Sequence, residues 1–69
     1  MDLKKIRQDL IAGLRMLDMR KEPVIVVMSL LRTEKQLTTM MDWIATHYQE
    51  SPDEDKVIEI AEVIKEKIQ

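Results

Sequence analysis

The sequence predicts an all-α fold, a compact bundle of four short helices forming a single helical domain over residues 1–69. Apolar residues recur at helical spacing, and one Gly and two Pro are too few for a turn-rich β fold. Short breaks divide the chain into four segments, at about 2–19, 23–31, 34–48 and 52–68. With 45% hydrophobic and 35% charged residues, the chain has the apolar content that folding requires.

The first segment predicts an amphipathic helix. Asp2 suits the N-cap position, where a side-chain oxygen accepts a free backbone N–H. At about 100° per residue, one face collects the apolar side chains of the segment. This predicted core stripe comprises Leu3, Ile6, Leu10, Leu14 and Leu17. Gly13, beside Ala12, suits a close helix crossing, inside the chain or at a subunit interface.

The second segment is nearly unbroken apolar sequence, "PVIVVMSLL". Its β-branched residues also suit a strand, but no other segment resembles a strand that would pair with it. Pro23, with its fixed φ, suits the first position of a helix. We therefore predict a short helix, apolar all round and central in the bundle. Either this chain alone covers the helix, or a second subunit covers one of its sides.

The third segment opens with a capping box, in which Thr33 caps the helix and Gln36 reaches back. Its predicted stripe is Leu37, Met41, Ile44 and Tyr48, flanked by Met40. The fourth segment opens with "SPDE", which predicts Ser51 as the N-cap and Pro52 at the first helical position. Its predicted core face is Val57, Ile60, Ala61, Ile64 and Ile68.

Charge is distributed unevenly along the chain. Residues 1–21 carry six Lys and Arg against three Asp, whereas residues 22–69 carry five against ten Asp and Glu. This asymmetry predicts attraction between the first and last helices, within a chain or between chains. The outer face of the fourth helix carries four carboxylates, here called the acidic ridge: Asp55, Glu59, Glu62 and Glu66. The ridge is either a solvated face or a docking strip for a basic partner.

Several apolar residues lie off the predicted stripes and form a candidate interaction surface: Met16, Met19, Trp43 and Val63. Trp and Met are enriched at protein interfaces. A small bundle also needs helices with two apolar faces, so a wide core is an equal alternative.

No residue set has the spacing of a known catalytic or metal site. His47 is the only His, there is no Cys, and the scattered carboxylates around His47 do not form a metal-ligand pattern. His47 is interpreted as a residue near the end of the third helix. We expect no enzymatic activity, no cofactor and no bound metal.

These observations predict a non-enzymatic protein that acts through protein–protein contact, with itself as a homodimer or with another protein as an adaptor. The alternative is a helix-turn-helix DNA-binding regulator that uses helices 23–31 and 34–48. Glu34 and Asp42 on its recognition helix, and a pI of about 5.3, oppose contact with phosphate. Nucleic acid is therefore not the expected partner.

A cytoplasmic location is expected. Residues 2–10, "DLKKIRQDL", lack the apolar region of a secretion signal, and a chain without Cys fits a reducing compartment. The longest apolar run, Val24 to Leu31, is far shorter than the ~20 residues of a membrane span.

Overall fold

The computed structural model describes residues 2–69. It contains the helices α1 (Leu3–Met16), α2 (Lys21–Leu30), α3 (Glu34–His47) and α4 (Glu54–Lys67), and a 3₁₀ turn, Tyr48–Glu50, follows α3. The described residues include no strand. The predicted all-α bundle of four helices is confirmed, and each helix bound agrees with the prediction to within three residues.

The four helices form two antiparallel hairpins that lie side by side. In the first, Arg7 near the start of α1 reaches the end of α2, and in the second, Gln36 near the start of α3 reaches the end of α4. Between the hairpins, α1 packs along α3 and α2 packs along α4. Both of these pairs are parallel, because Met16 shares a surface with Tyr48 and Arg20 binds Glu54.

The bundle therefore has four corners, and each helix contacts two neighbours. The pairs on the diagonals, α1 with α4 and α2 with α3, have no Cα atoms within 8 Å of each other in the described residues. The core fills the centre between the corners. It comprises Ile6, Leu10, Leu14, Met19, Val24, Val27, Met28, Leu31, Leu37, Met40, Ile44, Val57, Ala61 and Ile64.

The predicted stripes differ from this core at their ends. Leu3 and Tyr48 are exposed, because each lies at an end of a helix where no neighbouring helix covers it. Met40 is fully buried and takes a position in the core that the sequence assigned to the flank of the stripe. The other predicted stripe residues that are buried are Ile6, Leu10 and Leu14 of α1, Leu37 and Ile44 of α3, and Val57, Ala61 and Ile64 of α4.

Of the three N-caps predicted from the sequence, those of α1 and α3 are confirmed. The Oδ1 of Asp2 accepts the N–H of Lys4, and Thr33 and Gln36 form the predicted capping box. The prediction for α4 was wrong, because Asp53 caps that helix through the N–H of Lys56 at 2.8 Å. Ser51 instead adopts φ 49° and turns the chain after the 3₁₀ segment.

Pro23 is the third residue of α2, which begins at Lys21. Proline is tolerated there because the N–H groups of the first turn have no acceptor within the helix. The correction is a shift of two residues, and the helix assignment itself holds.

The second helix is short and apolar, but the chain covers only one of its sides. Val24, Val27 and Met28 are buried, whereas Ile25 is 54% exposed and Val26 is 41% exposed. The expectation of a central helix therefore holds for its inner side alone. The reason is its corner position, since only α1 and α4 pack against it.

Gln36 is the single buried polar residue of the described core, and its side chain joins three chain segments. Its Oε1 accepts the N–H groups of Arg32 at 2.7 Å and Thr33 at 3.1 Å. Its Nε2 donates to the carbonyl oxygen of Ile68, at the end of α4. Burial of this amide is tolerated because both of its ends are hydrogen-bonded.

Replacement of Gln36 should destabilise the fold. We expect Gln36→Leu to lower the free energy of unfolding by about 1–3 kcal/mol, because it removes the reciprocal cap and leaves the Ile68 carbonyl without its donor. Gln36→Glu keeps an acceptor for Arg32 and Thr33 but sets a carboxylate oxygen against the Ile68 carbonyl oxygen, so it should also destabilise the fold. Urea unfolding measures both variants. Equal stability of Gln36→Leu and the parent would contradict this role.

One ion pair joins the starts of the two parallel helices α2 and α4. The guanidinium Nη2 of Arg20 lies 2.9 Å from Oε1 of Glu54, and the backbone N–H of Arg20 donates to Oε2 at 2.6 Å. Glu54 thus places a carboxylate at the positive ends of two helix dipoles. The hydrogen bonds from the side chain and then the backbone of Arg20 hold the pKa of Glu54 below its ordinary value.

This pair predicts a pH dependence of stability. Because the pKa of Glu54 is lowered in the folded state, the stabilisation is present above its ordinary pKa and is lost as the pH falls below it. Glu54→Gln should therefore flatten the loss of unfolding free energy between pH 7 and pH 3, measured by urea titration. Arg20→Gln keeps the backbone donor and should give an intermediate slope. An acid limb identical in all three proteins would contradict the assignment.

Candidate functional site

Two apolar surfaces lie on the outside of the bundle. The first, the α1/α3 groove, has a volume of about 240 Å³. Met16 and Tyr48 stand exposed at one end of it, and Asp9 is its single charged residue. The other residues that line it are Leu10, Gly13, Met41, Ile44 and Ala45.

Gly13 lies in the floor of this groove, in the middle of α1. A Cβ atom at this position would lie 3.9 Å from both Cδ1 and Cγ2 of Ile44, which is ordinary van der Waals contact. The packing of α1 on α3 therefore leaves room for an alanine. Gly13 costs helix stability without any steric need inside the chain, and its effect is to deepen the groove.

The second surface, the α2/α4 groove, lies on the opposite side of the molecule. Pro23, Val26 and Ile58 line one end of it, and Leu30 lies at the other end. The charged residues at the two ends are Arg20, Lys21 and Glu22 at the first, and Glu62, Lys65 and Glu66 at the second. Val26 is exposed, and Pro23, Leu30 and Ile58 are half-buried. This groove continues the uncovered side of α2.

The structure does not bring the predicted interaction surface together. Met16 is 65% exposed at the α1/α3 groove and Val63 is exposed on α4. Met19 belongs to the core at 5% exposure, because α1 ends at Met16 and the following turn folds Met19 inward. Of the four residues, only Met16 lines a groove described above.

Trp43 is half-buried against the core and stacks on His47, with ring centroids 4.4 Å apart and an interplanar angle of 16°. The Nδ1 of His47 lies 2.8 Å from the carbonyl oxygen of Trp43, one helical turn earlier. Both rings border a shallow depression with Lys56 and Ile60 of α4. His47 is the last residue of α3, one residue before the predicted end, and its contacts are those of a helix end.

All four residues of the acidic ridge are exposed along the outer face of α4. Within residues 2–69, the ridge makes one ion pair, between Lys56 and Glu59 at 3.9 Å. Such an exposed pair contributes little to stability. The ridge runs beside the α2/α4 groove, with Glu62 and Glu66 at its border.

The predicted attraction between the first and last helices does not form by direct contact within the described chain. α1 and α4 occupy diagonal corners, so the basic outer face of α1 and the acidic ridge point to opposite sides of the molecule. This separation was not readable from the sequence, because composition along a chain does not show which helices become neighbours.

The geometry of α2 and α3 bears on the DNA-binding alternative. The two helices do not approach within 8 Å between Cα atoms, whereas a helix-turn-helix packs its two helices together. On the outer face of α3, the hydroxyl groups of Thr38, Thr39 and Thr46 donate to carbonyl oxygens of their own helix. Glu34 and Asp42 are exposed on this helix, as the sequence suggested.

Among residues 2–69, no group of three or more His, Cys, Asp or Glu side chains has a geometry suited to a metal ion. None of the helices in the described part of the chain combines the length and apolarity that crossing a membrane requires.

Comparisons of the chain with protein-family models, with curated proteins and with solved structures found no match.

The geometry at Gly13 yields a test. We expect Gly13→Ala to raise the free energy of unfolding by up to about 1 kcal/mol, because alanine gains helix propensity and its Cβ meets only ordinary contacts. Urea unfolding measures the change, and Gly13→Leu, which fills the groove, is the companion variant. A loss of stability in Gly13→Ala would show that the α1/α3 crossing itself requires glycine.

Proposed function

We propose that this protein acts by protein–protein contact, and that its first partner is another copy of itself. The observation that carries the proposal is the incomplete cover of α2. Ile25 and Val26 lie in the middle of this ten-residue helix. Both side chains are apolar and both are exposed. Burial of such side chains in a second protein contributes roughly 25 cal/mol per Å² of apolar surface.

The size of the chain supports this proposal. A domain of about 60 residues buries only about 60% of its unfolded surface, so one hydrophobic core is marginal. Four helices at four corners leave each helix with an outer side, and the apolar composition of α2 makes its outer side apolar. A second subunit would supply the cover that this chain lacks.

The α1/α3 groove supports a second contact, in which the protein serves as an adaptor. Its lining is apolar apart from Asp9, and Gly13 and Ala45 allow a partner backbone to approach closely. An amphipathic helix with apolar side chains at intervals of three and four residues matches such a groove. The proposed location is the cytoplasm, on the ground of the cysteine-free composition.

The DNA-binding regulator remains the alternative function. It is favoured by the exposed cations Lys4, Lys5 and Arg15 on α1, which are available to phosphate. Retention of duplex DNA that weakens steeply with salt would favour this alternative. Self-association without DNA retention would favour the contact protein.

Self-association is tested by sedimentation and light scattering across concentration. We expect oligomers at about 100 µM, well above the dissociation constants of stable complexes, and we expect the double variant Ile25→Gln and Val26→Gln to dissociate them while folding is retained. The control is Met16→Gln, which changes a more exposed apolar residue in the α1/α3 groove. A parent protein that is strictly monomeric at this concentration would contradict the proposed self-association.

A further inference from the structure

We propose that the α2/α4 groove binds the outer face of α1 from a second copy of the chain, in a head-to-tail contact. This inference rests on the proposed self-association and names the two surfaces that meet. It names the part of another copy that covers Val26 on the α4 side of α2, whereas Ile25 does not line this groove.

The groove determines the chemistry of its occupant. Its floor is apolar, with Val26 exposed and Ile58 half-buried. The charged residues that line its two ends are of both signs: Arg20, Lys21, Glu22, Glu62, Lys65 and Glu66. The acidic ridge, which consists of carboxylates alone, borders its α4 side. An occupant that places an apolar side chain on the floor and cations along the ridge matches this pattern. A twofold arrangement that laid α4 of one copy on α4 of the other would bring ridge against ridge, and facing like charges oppose association.

The outer face of α1 has this chemistry. Lys4, Gln8, Ile11 and Arg15 lie within about 60° of each other around the helix axis, and we call them the basic stripe. All four are exposed, and Ile11 is an apolar side chain among polar and basic neighbours. Within the chain this stripe faces away from the ridge, so its charge is available to another molecule.

The two surfaces also match in length. The basic stripe runs from residue 4 to residue 15 and the acidic ridge from residue 55 to residue 66, so each spans eleven residue steps of a helix. At about 1.5 Å per residue, each is roughly 16 Å long. Each occupies a sector of about 60° on its own helix. The basic stripe and the acidic ridge therefore carry opposite charges over equal lengths of their helices.

The positions of the surfaces fix the symmetry of the assembly. Because α1 and α4 lie at diagonal corners, one rigid partner cannot cover both surfaces of the same copy. The contact is heterologous, so a dimer retains one free basic stripe and one free ridge and adds further copies. We expect a series of oligomers that grows with concentration and shrinks as salt screens the charges.

The experiment is a charge exchange followed by sedimentation. The first variant carries Glu62→Lys and Glu66→Lys, and the second carries Lys4→Glu and Arg15→Glu, all at exposed positions. Each variant alone should associate at least about tenfold more weakly than the parent, because the first cancels the net negative charge of the ridge and the second gives the stripe the same sign as the ridge. An equimolar mixture should regain association, because the unchanged basic stripe of the first variant meets the unchanged ridge of the second.

The matched control is Asp42→Lys with Glu50→Lys. It changes the net charge as the first variant does, but at exposed positions outside both surfaces. It should associate like the parent, and circular dichroism checks that every variant is folded. Unchanged association of Glu62→Lys with Glu66→Lys would overturn the head-to-tail contact while leaving self-association intact. A mixture that stays monomeric would overturn it too, whereas a monomeric parent would overturn the proposed function itself.

Discussion

The fold depends on how each hairpin satisfies the carbonyl groups at the end of its second helix. Neither α2 nor α4 ends in glycine, and the chain leaves both helices in an extended conformation at Leu31 and Ile68. Arg7 donates to the carbonyl oxygens of Met28 and Leu31, at 3.3 and 3.2 Å, and Gln36 donates to that of Ile68. The donors come from the first helix of each hairpin, so the end of one helix is completed by its antiparallel neighbour.

This way of ending helices also sets the arrangement of the hairpins. The donors from Arg7 and Gln36 hold α1 to α2 and α3 to α4. The two hairpins then lie side by side, with α1 parallel to α3 and α2 parallel to α4. Parallel helices bring like dipole ends together, which is unfavourable unless a charge lies between them. At the starts of α2 and α4 the carboxylate of Glu54 supplies that charge, with Arg20 bound to it.

The same arrangement produces the outer surfaces of the molecule. A ring of four corners gives every helix two covered sides and an outer side. For α1 and α4 the outer sides are charged and solvated, but for α2 the outer side is apolar because almost the whole helix is apolar. The molecule thus has a basic, an acidic and an apolar outer face, and the acidic face borders the apolar one.

The two hairpins are built alike although the sequence shows no internal repeat. Each turn between antiparallel helices contains one residue in the left-handed region, Asp18 at φ 60° and Ser51 at φ 49°. Short polar side chains form local hydrogen bonds that help them tolerate this conformation. The likeness lies in backbone geometry and hydrogen bonding, which sequences satisfy with different residues.

The sequence by itself determined the number and extent of the helices, the caps at Asp2 and Thr33, and the acidic face of α4. These features depend on residues within one or two turns of each other, so spacing alone reports them. Only the tertiary structure decided that α2 occupies a corner, that Met19 turns into the core and that the basic and acidic helices lie on a diagonal. Those outcomes depend on which helices become neighbours, and an apolar stripe specifies that a helix must be covered without specifying what covers it.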